Sequence, residues 1–411
     1  MKLGTIGIRT AIAVVAATLV ALFAPQNTLF LTIAEAGRYL SLQFGRYLLY
    51  PFLFFNMAIA VTQLRRQRKL LKVIVIMLVL LVSFNAIMAA LGVLLAVALP
   101  LRRVPIVFEQ EVAGSFSLQP ELLAQLLPSN LFTAFSGYSL APILLVAFFI
   151  GLGMAYDREV AEPSYNFFDS LGRICYRIAF YYVYFSFIPV FFFTLSLINL
   201  IRTTHDLALY QSVLTLTMVS AAVIILILYA VIYRLFARKK GLGIRYLRGA
   251  PASLAFAAAT AQPLLAGLHY SYLSHKNQGI SRELGAFVAP IMAIFLRAGS
   301  SLISGVVIIA VLRSYSSLDL TAAQVWLTMV SVFMASFLVV PYDATFLHNF
   351  LQLAYGLYGR TVGSTLGAFE PIIPLLSHLA AVLDLAALIL LLRIMASLTG
   401  FERFKASPSF T

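Results

Sequence analysis

Long uninterrupted apolar runs, rather than alternating ones, organise this chain. Residues 6–24, 45–64, 73–100, 140–156, 175–201 and 210–236 are apolar stretches bounded by charge or by Pro and Gly. A transmembrane helix needs about 20 such residues, so each run predicts a membrane-spanning helix. The short alternation of a membrane β-barrel is missing, and runs such as 73–100 and 213–233 are helix-length.

The pattern changes beyond residue 250. The stretch 250–282 is apolar but broken by Pro251 and Pro263 and carries polar Thr260 and Gln262, which predicts two short helical arms around a polar tip. The stretch 327–365 repeats the style and turns at Pro341-Tyr342-Asp343. Irregular backbone at membrane depth is tolerated only where protein buries it or where it lines a cavity. Two such segments in one chain point to the midplane binding site of a secondary transporter; the competing reading is a pair of ordinary spans with proline kinks. Each broken segment is followed by an apolar span that contains charge, Arg297 in the first, Asp384 and Arg393 in the second.

Composition agrees with the pattern. Of 411 residues 62% are hydrophobic and 11% charged, and the mean hydropathy is +0.95; soluble domains are nearer half apolar and a quarter charged. The length accommodates roughly eight spans. The net charge of +14 reads as topology, since Lys and Arg concentrate in short cytoplasmic loops, and not as nucleic-acid binding. With the N-terminus inside, Arg65, Arg66, Arg68, Lys69, Lys72, Arg238, Lys239, Lys240, Arg245, Arg248, Arg403 and Lys405 fall on the cytoplasmic side. Glu109, Glu111 and Glu121 fall outside, with Arg102 and Arg103 running against the trend. The single Trp326 leaves the interfacial role to the 20 Tyr. The lone Cys175 forbids an internal disulfide. The N-terminus has a basic end and an apolar core but no small-x-small site before a soluble domain, so it reads as a retained first span.

Chemistry-bearing residues are few. A charge at the bilayer centre costs ~2.5–3.5 kcal/mol, so Arg297 is expected to face a cavity or an acid, with Asp384 and Asp343 as candidate partners. Such a pair either serves function or only joins two helices. Arg393 either snorkels to the membrane surface or offers a guanidinium fork to a carboxylate. Ser300 and Ser301 are placed to bind substrate or to cap a broken helix, and Asp343 is either a site residue or a solvated turn. His269 and His378 lie in apolar surroundings, as proton carriers or as satisfied core histidines. Hydrolase, nucleotide and metal motifs are lacking, and nothing assembles into a catalytic site.

Several stretches together resemble the dicarboxylate/amino acid:cation symporter family, with its glutamate-transporter fold. YLLYPFLFFNMAIAVTQL resembles the second-span consensus with central Pro51; LLPSNLFTAFSGYSLAPILLVAFFIGLGM resembles the P-x-N stretch; FSFIPVFFF and RYLRGAPASLAFAAATA resemble the fifth span and the entry to the first hairpin. The longest match runs without a gap from Gly279 to Val306, with Pro290, Ala293, Gly299, Leu302, Gly305 and Val306 where the family pattern expects them. Where the family has N-M-D-G-T, an unwound segment that helps hold sodium, this chain reads Leu296-Arg297-Ala298-Gly299-Ser300. The serine-rich first tip corresponds to Thr260-Ala261-Gln262, and the second tip to Pro341-Tyr342-Asp343-Ala344. The last span fits in two registers, one placing Asp384 and the other Arg393 on a family substrate ligand.

The resemblance implies an all-α polytopic membrane protein with eight transmembrane helices and two re-entrant helical hairpins in inverted repeats. It divides the chain into scaffold spans 1–2 (residues 1–72), transport-domain span 3 (73–100), scaffold spans 4–5 with an extracellular loop (101–208) and the rest of the transport domain (209–411). The last contains span 6, a hairpin near 250–282, span 7 near 284–312, a hairpin near 327–365 and span 8 near 370–400. It further implies a homotrimer in the inner membrane with both termini cytoplasmic, moving an acidic amino acid or dicarboxylate by an elevator motion, without a cofactor and with sodium or protons as coupling ion. The substrate would meet Arg297, Gly299, Ser300, Ser301, Thr260, Gln262, Asp343, Asp384 and Arg393. A guanidinium standing where sodium would sit predicts weak or absent sodium dependence. A cation-independent exchanger or uniporter of the same fold and a non-transporting membrane sensor are the alternatives.

Overall fold

A computed structural model describes residues 5–23, 28–99, 101–104, 135, 140–204, 207–236, 243–315, 320–339, 345–359 and 366–402. Helix accounts for nearly all of them, and a single isolated bridge, Ile280 to Glu402, is the one β contact among the described residues. The second tip with Asp343, Pro128-Ser129-Asn130 of the P-x-N stretch, acidic Glu109, Glu111 and Glu121, and basic Arg238, Lys239, Lys240, Arg403 and Lys405 lie outside the described residues.

Helices α1 (Thr5–Phe23), α2 (Thr28–Arg66), α3 (Leu70–Ala98), α4 (Ala141–Tyr156), α5 (Arg158–Tyr184) and α6 (Phe187–Thr203) come first. Then follow α7 (Gln211–Val223) and α8 (Tyr229–Phe236), joined by a π-helical turn at Ile224–Leu228. Six helical stretches among the described residues are long and apolar enough to cross a membrane, and the α5–α6 pair, bent by 48°, makes a seventh if it counts as one span. The chain is an all-α polytopic membrane protein.

Three elements differ from the expected limits. The second span was expected over 45–64, yet α2 begins at Thr28; its polar N-terminal half stays helical with Glu35 and Arg38 paired one turn apart at 3.3 Å. The run 175–201 is not one straight helix but breaks at Phe185–Ser186. Pro189 falls in the first turn of the restarted helix, where proline is tolerated because no helical N–H bond is lost. The run 210–236 contains the π turn, whose Ile225 carbonyl accepts the Tyr246 hydroxyl at 2.7 Å, a side chain intruding on the helix ladder.

The remaining helices are α9 (Pro251–Thr260), α10 (Pro263–Gln278), α11 (Arg282–Phe295), α12 (Ala298–Tyr315), α13 (Ala322–Leu338), α14 (Phe346–Leu357) and α15 (Ile373–Thr399). Between α9 and α10 the backbone reverses at Ala261, which takes a left-handed φ of 50°. Ser253 and His269, equally far from Ala261, bond across the two arms at 2.9 Å. Prolines at the start of both arms supply preset helical φ where no N–H bond is lost.

Helices α1, α2, α4, α5 and α6 pack on one another, while α3 and α9–α15 pack around α12 and α15. The stretch Arg282–Ser314 is almost wholly enclosed, whereas α1 is largely exposed. α3 lies close against α12 because Gly92 has no side chain: a Cβ there would collide with the Leu302 carbonyl. Small residues at such crossings are how membrane helices approach closely without a hydrophobic driving force. The seam between the two groups runs where α2 meets α10 and α11, and it carries Arg282 Nη2 donating to Asn56 Oδ1 at 2.7 Å.

Candidate functional site at the broken helix

The enclosed span breaks between Phe295 and Ala298, leaving Leu296 extended and Arg297 between two half-helices. A broken helix exposes carbonyls at the end of one half and N–H groups at the start of the other, with partial charges of opposite sign. Both ends are answered by charged side chains. Arg297, with 0% exposure, folds back on α11: Nε donates to the Ile294 carbonyl at 3.0 Å, and Nη2 donates to the Ala293 and Ile294 carbonyls at 2.9 and 2.6 Å. Asp384 on α15 accepts at Oδ1 from the Gly299 and Ser300 N–H groups, 2.7 and 3.3 Å, and at Oδ2 from the Ser300 hydroxyl, 2.7 Å.

The two charges meet. Arg297 Nη1 lies 3.5 Å from Asp384 Oδ2 and has no hydrogen-bond partner of its own. The approach of α15 depends on Gly299, where a Cβ would collide with the Ala380 carbonyl and the Leu383 side chain. The Phe346 ring of α14 stands 5.8 Å from the guanidinium carbon. The site therefore holds a cation on the negative end of one half-helix and a carboxylate on the positive end of the other.

Asn85 completes this arrangement, and the sequence reading missed it. From α3 its Oδ1 accepts from the Arg297 N–H at 2.9 Å, and its Nδ2 donates to the Phe295 carbonyl at 2.9 Å and to Ser336 Oγ on α13 at 3.2 Å. One side chain thus replaces two backbone bonds lost at the break and ties it to the second broken segment. Its signal in the sequence was a lone amide in the middle of the run 73–100, which is otherwise almost wholly apolar; the structure buries it completely.

Other expected site residues are distributed around this centre. Thr260 donates to the Phe256 carbonyl at 2.8 Å and its Oγ accepts from the Gln262 N–H at 3.3 Å, fixing the first tip. Gln262 Nε2, Ser301 Oγ and Ser304 Oγ are buried with no hydrogen-bond partner. His378 bonds through Nδ1 to the Ala258 carbonyl at 2.7 Å, joining α15 to the first hairpin arm. Arg393 is not brought to the pair. It lies nine residues beyond Asp384, roughly 14 Å along the helix, where Nη1 donates to the Arg245 carbonyl at 2.6 Å and the guanidinium sits 5.8 Å from the Tyr233 ring.

The donor set can be tested against a metal cation. The carbonyls of Ala293 and Ile294, the oxygens that a cation at this break would use, are taken by the guanidinium. Among the described residues no group of three or more His, Cys, Asp or Glu is placed to hold a metal. At this break the positive charge against the α11 carbonyls is the Arg297 guanidinium.

A comparison with curated proteins gives no match. The model of the family described as "Sodium:dicarboxylate symporter family" matches residues 6–397, a stretch that includes the broken helix, Asn85 and Asp384. With that match across nearly its whole length, the chain belongs to the sodium:dicarboxylate symporter family and is a multi-pass membrane transporter.

Proposed function

We propose that this protein moves a small organic anion, a dicarboxylate or acidic amino acid, across the cytoplasmic membrane without binding sodium at the broken helix. The observation that carries the reading is the Arg297 guanidinium on the α11 carbonyls. A covalently held cation supplies there the positive charge that a bound ion would otherwise bring, and it cannot dissociate. Its Nη1 and the unpartnered Ser301 and Gln262 groups are the donors left for a carboxylate, because buried donors without partners favour a ligand that satisfies them.

The family supports a homotrimer with an elevator motion, in which the α9–α15 group carries the substrate past the α2, α5 and α6 group. The Lys and Arg distribution supports cytoplasmic termini in an inner membrane. A second reading, exchange without cation coupling, is favoured by the same permanent Arg297–Asp384 pair, which offers no releasable charge.

Reconstituted protein tests both. Radiolabelled succinate or aspartate should enter liposomes at rates that differ by less than about twofold when sodium is replaced by choline. Transport that requires sodium, and still requires it after Arg297→Met, overturns the reading. Counterflow without concentrative uptake under any imposed ion gradient selects the exchanger.

A further inference from the structure

His269 is buried within the first hairpin, with 2% exposure, and the site at the broken helix does not use it. Its Nδ1 lies 2.9 Å from Ser253 Oγ on the opposite arm, while Nε2 has no hydrogen-bond partner. The ring stacks on Phe256, centroids 5.0 Å apart and planes 7° from parallel. It borders a cavity of about 20 Å³ formed with Gly45, Leu49 and Phe52 of α2, Tyr182 of α5 and Tyr272 of α10. Its volume is about that of one water.

While the ring is enclosed here it stays neutral, yet both of its nitrogens have somewhere to place an N–H. Proton uptake gives the ring an N–H at both nitrogens and breaks no bond. Ser253 Oγ can then accept from Nδ1, Nε2 is free to donate to water admitted at the seam, and the Phe256 face lies within the distance at which an aromatic ring stabilises a cation. The cavity also has a neighbour along the same seam. A void of about 10 Å³ is lined by Phe52, Asn56, Ser271, Ser274, His275 and Arg282, so Phe52 forms a wall of both. This second void has the polar lining, and the Phe52 side chain is what the two have in common.

Among the residues lining the first cavity, Tyr182 from α5 and Tyr272 from α10 are the other titratable groups, and α2 contributes none. From α9, Ser253 and Phe256 face the ring and neither titrates. Cations beside the seam are Arg282, 5.3 Å from the Tyr176 ring, Lys276, 5.6 Å from the Tyr272 ring, and Arg177 of α5, whose charge acts on Tyr272. No acid lines either void.

We propose that His269 is a proton-binding site through which transport is coupled to the proton gradient, the proton reaching it along the seam between the first hairpin and helices α2 and α5. The imidazole is neutral while the hairpin is seated on α2, and takes its proton when the seam opens to water. An ionisable side chain that faces the protein interior at membrane depth is a default candidate for a proton relay. The proposal rests on the transport reading above, and it specifies that the coupling ion is a proton and where it binds.

The test uses full-length protein in liposomes with the membrane potential clamped, [14C]succinate as probe and trapped pyranine to report internal pH. An inward gradient of one pH unit should drive about tenfold accumulation, the limit for one proton per substrate, with matching acidification of the lumen. In His269→Gln, succinate exchange should remain measurable while accumulation and acidification disappear. Equal accumulation in His269→Gln, or none with the wild type, overturns the proposal. Absence of succinate and aspartate exchange by the wild type would instead overturn the transport reading. The proton site then stands or falls on 15N-histidine NMR of the purified protein. The resonance missing from His269→Gln should be that of a neutral ring at pH 8 and should move towards the imidazolium value on acidification, and a shift that stays constant down to the pH of unfolding rejects it.

Discussion

Asn85 Oδ1 accepts the Arg297 backbone N–H at 2.9 Å while its Nδ2 donates to the Phe295 carbonyl at the same distance. A side chain from α3 therefore bridges the gap in the enclosed span, satisfying backbone groups that neither half-helix can pair. Its third bond, to Ser336, reaches α13, so the break, α3 and α13 share one polar junction. Asn85→Leu keeps the branched shape and heavy-atom count of the side chain and removes all three bonds. It should cost at least 1–3 kcal/mol, the range for one orphaned buried group, measured by thermal unfolding in detergent. A change below the error of that measurement would remove Asn85 from this role.

Arg297→Met should be more damaging than its polar contacts alone suggest, since it leaves the Asp384 carboxylate buried without its cation. Breaking a buried pair from one side costs about 3–5 kcal/mol. Adding Asp384→Asn keeps an acceptor for the Gly299 and Ser300 N–H groups and removes the charge. The double variant should regain more than half of the lost stability, and a double variant no better than the single would show that the two charges do not compensate each other.

Ser300 and Ser301 are adjacent but differ in what they hold. The Ser300 hydroxyl donates to Asp384 at 2.7 Å, whereas Ser301 Oγ is buried without a partner. Ser300→Ala should lower unfolding stability by about 1–3 kcal/mol. Ser301→Ala should stay within about 0.5 kcal/mol of the parent yet weaken stabilisation by added dicarboxylate about five- to tenfold in apparent Kd. Unchanged affinity would assign Ser301 to packing.

Arg393→Ala should leave anion exchange within about twofold of the wild type, because the side chain is engaged at the Arg245 carbonyl and the Tyr233 ring, about 14 Å along α15 from Asp384. A fall in exchange of tenfold or more with intact folding would place Arg393 in the substrate site.

Gly92→Val tests the packing of α3 on α12. The added side chain meets the Leu302 carbonyl, backbone that cannot rotate away, and overpacking of this kind costs about 1–3 kcal/mol or more. The helices must separate, which also lengthens the Asn85 bonds, so this variant should be poorly recovered from membranes. Normal yield and unfolding temperature would show that the contact yields easily.

How far the site was legible differs residue by residue. Arg297 and Asp384 stand out because charge inside an apolar run is costly unless it is matched, and the pairing of the two was among the expected alternatives. The reversal around Thr260–Gln262 is visible as Pro, Gln and Thr interrupting an apolar stretch. Asn85 escaped notice since one amide in a long run has many uses, and only its three partners reveal which one it serves. The register of the last span cannot be read from a repeating run of Leu, Ala and Ile, whose periodicity matches itself when shifted.

The sequence by itself determined that the chain is helical and membrane-embedded, since about 20 consecutive apolar residues have no other stable environment. It also determined that the interior would contain unusual charge. Tertiary structure decided where that charge goes: Arg297 turns back onto the α11 carbonyls, Asp384 closes on the α12 N-terminus, and Arg393 is spent on a distant carbonyl. The physical reason is that a break in a helix creates unpaired backbone dipoles only once the helix has formed. Which side chains answer them depends on helices brought together from far along the chain.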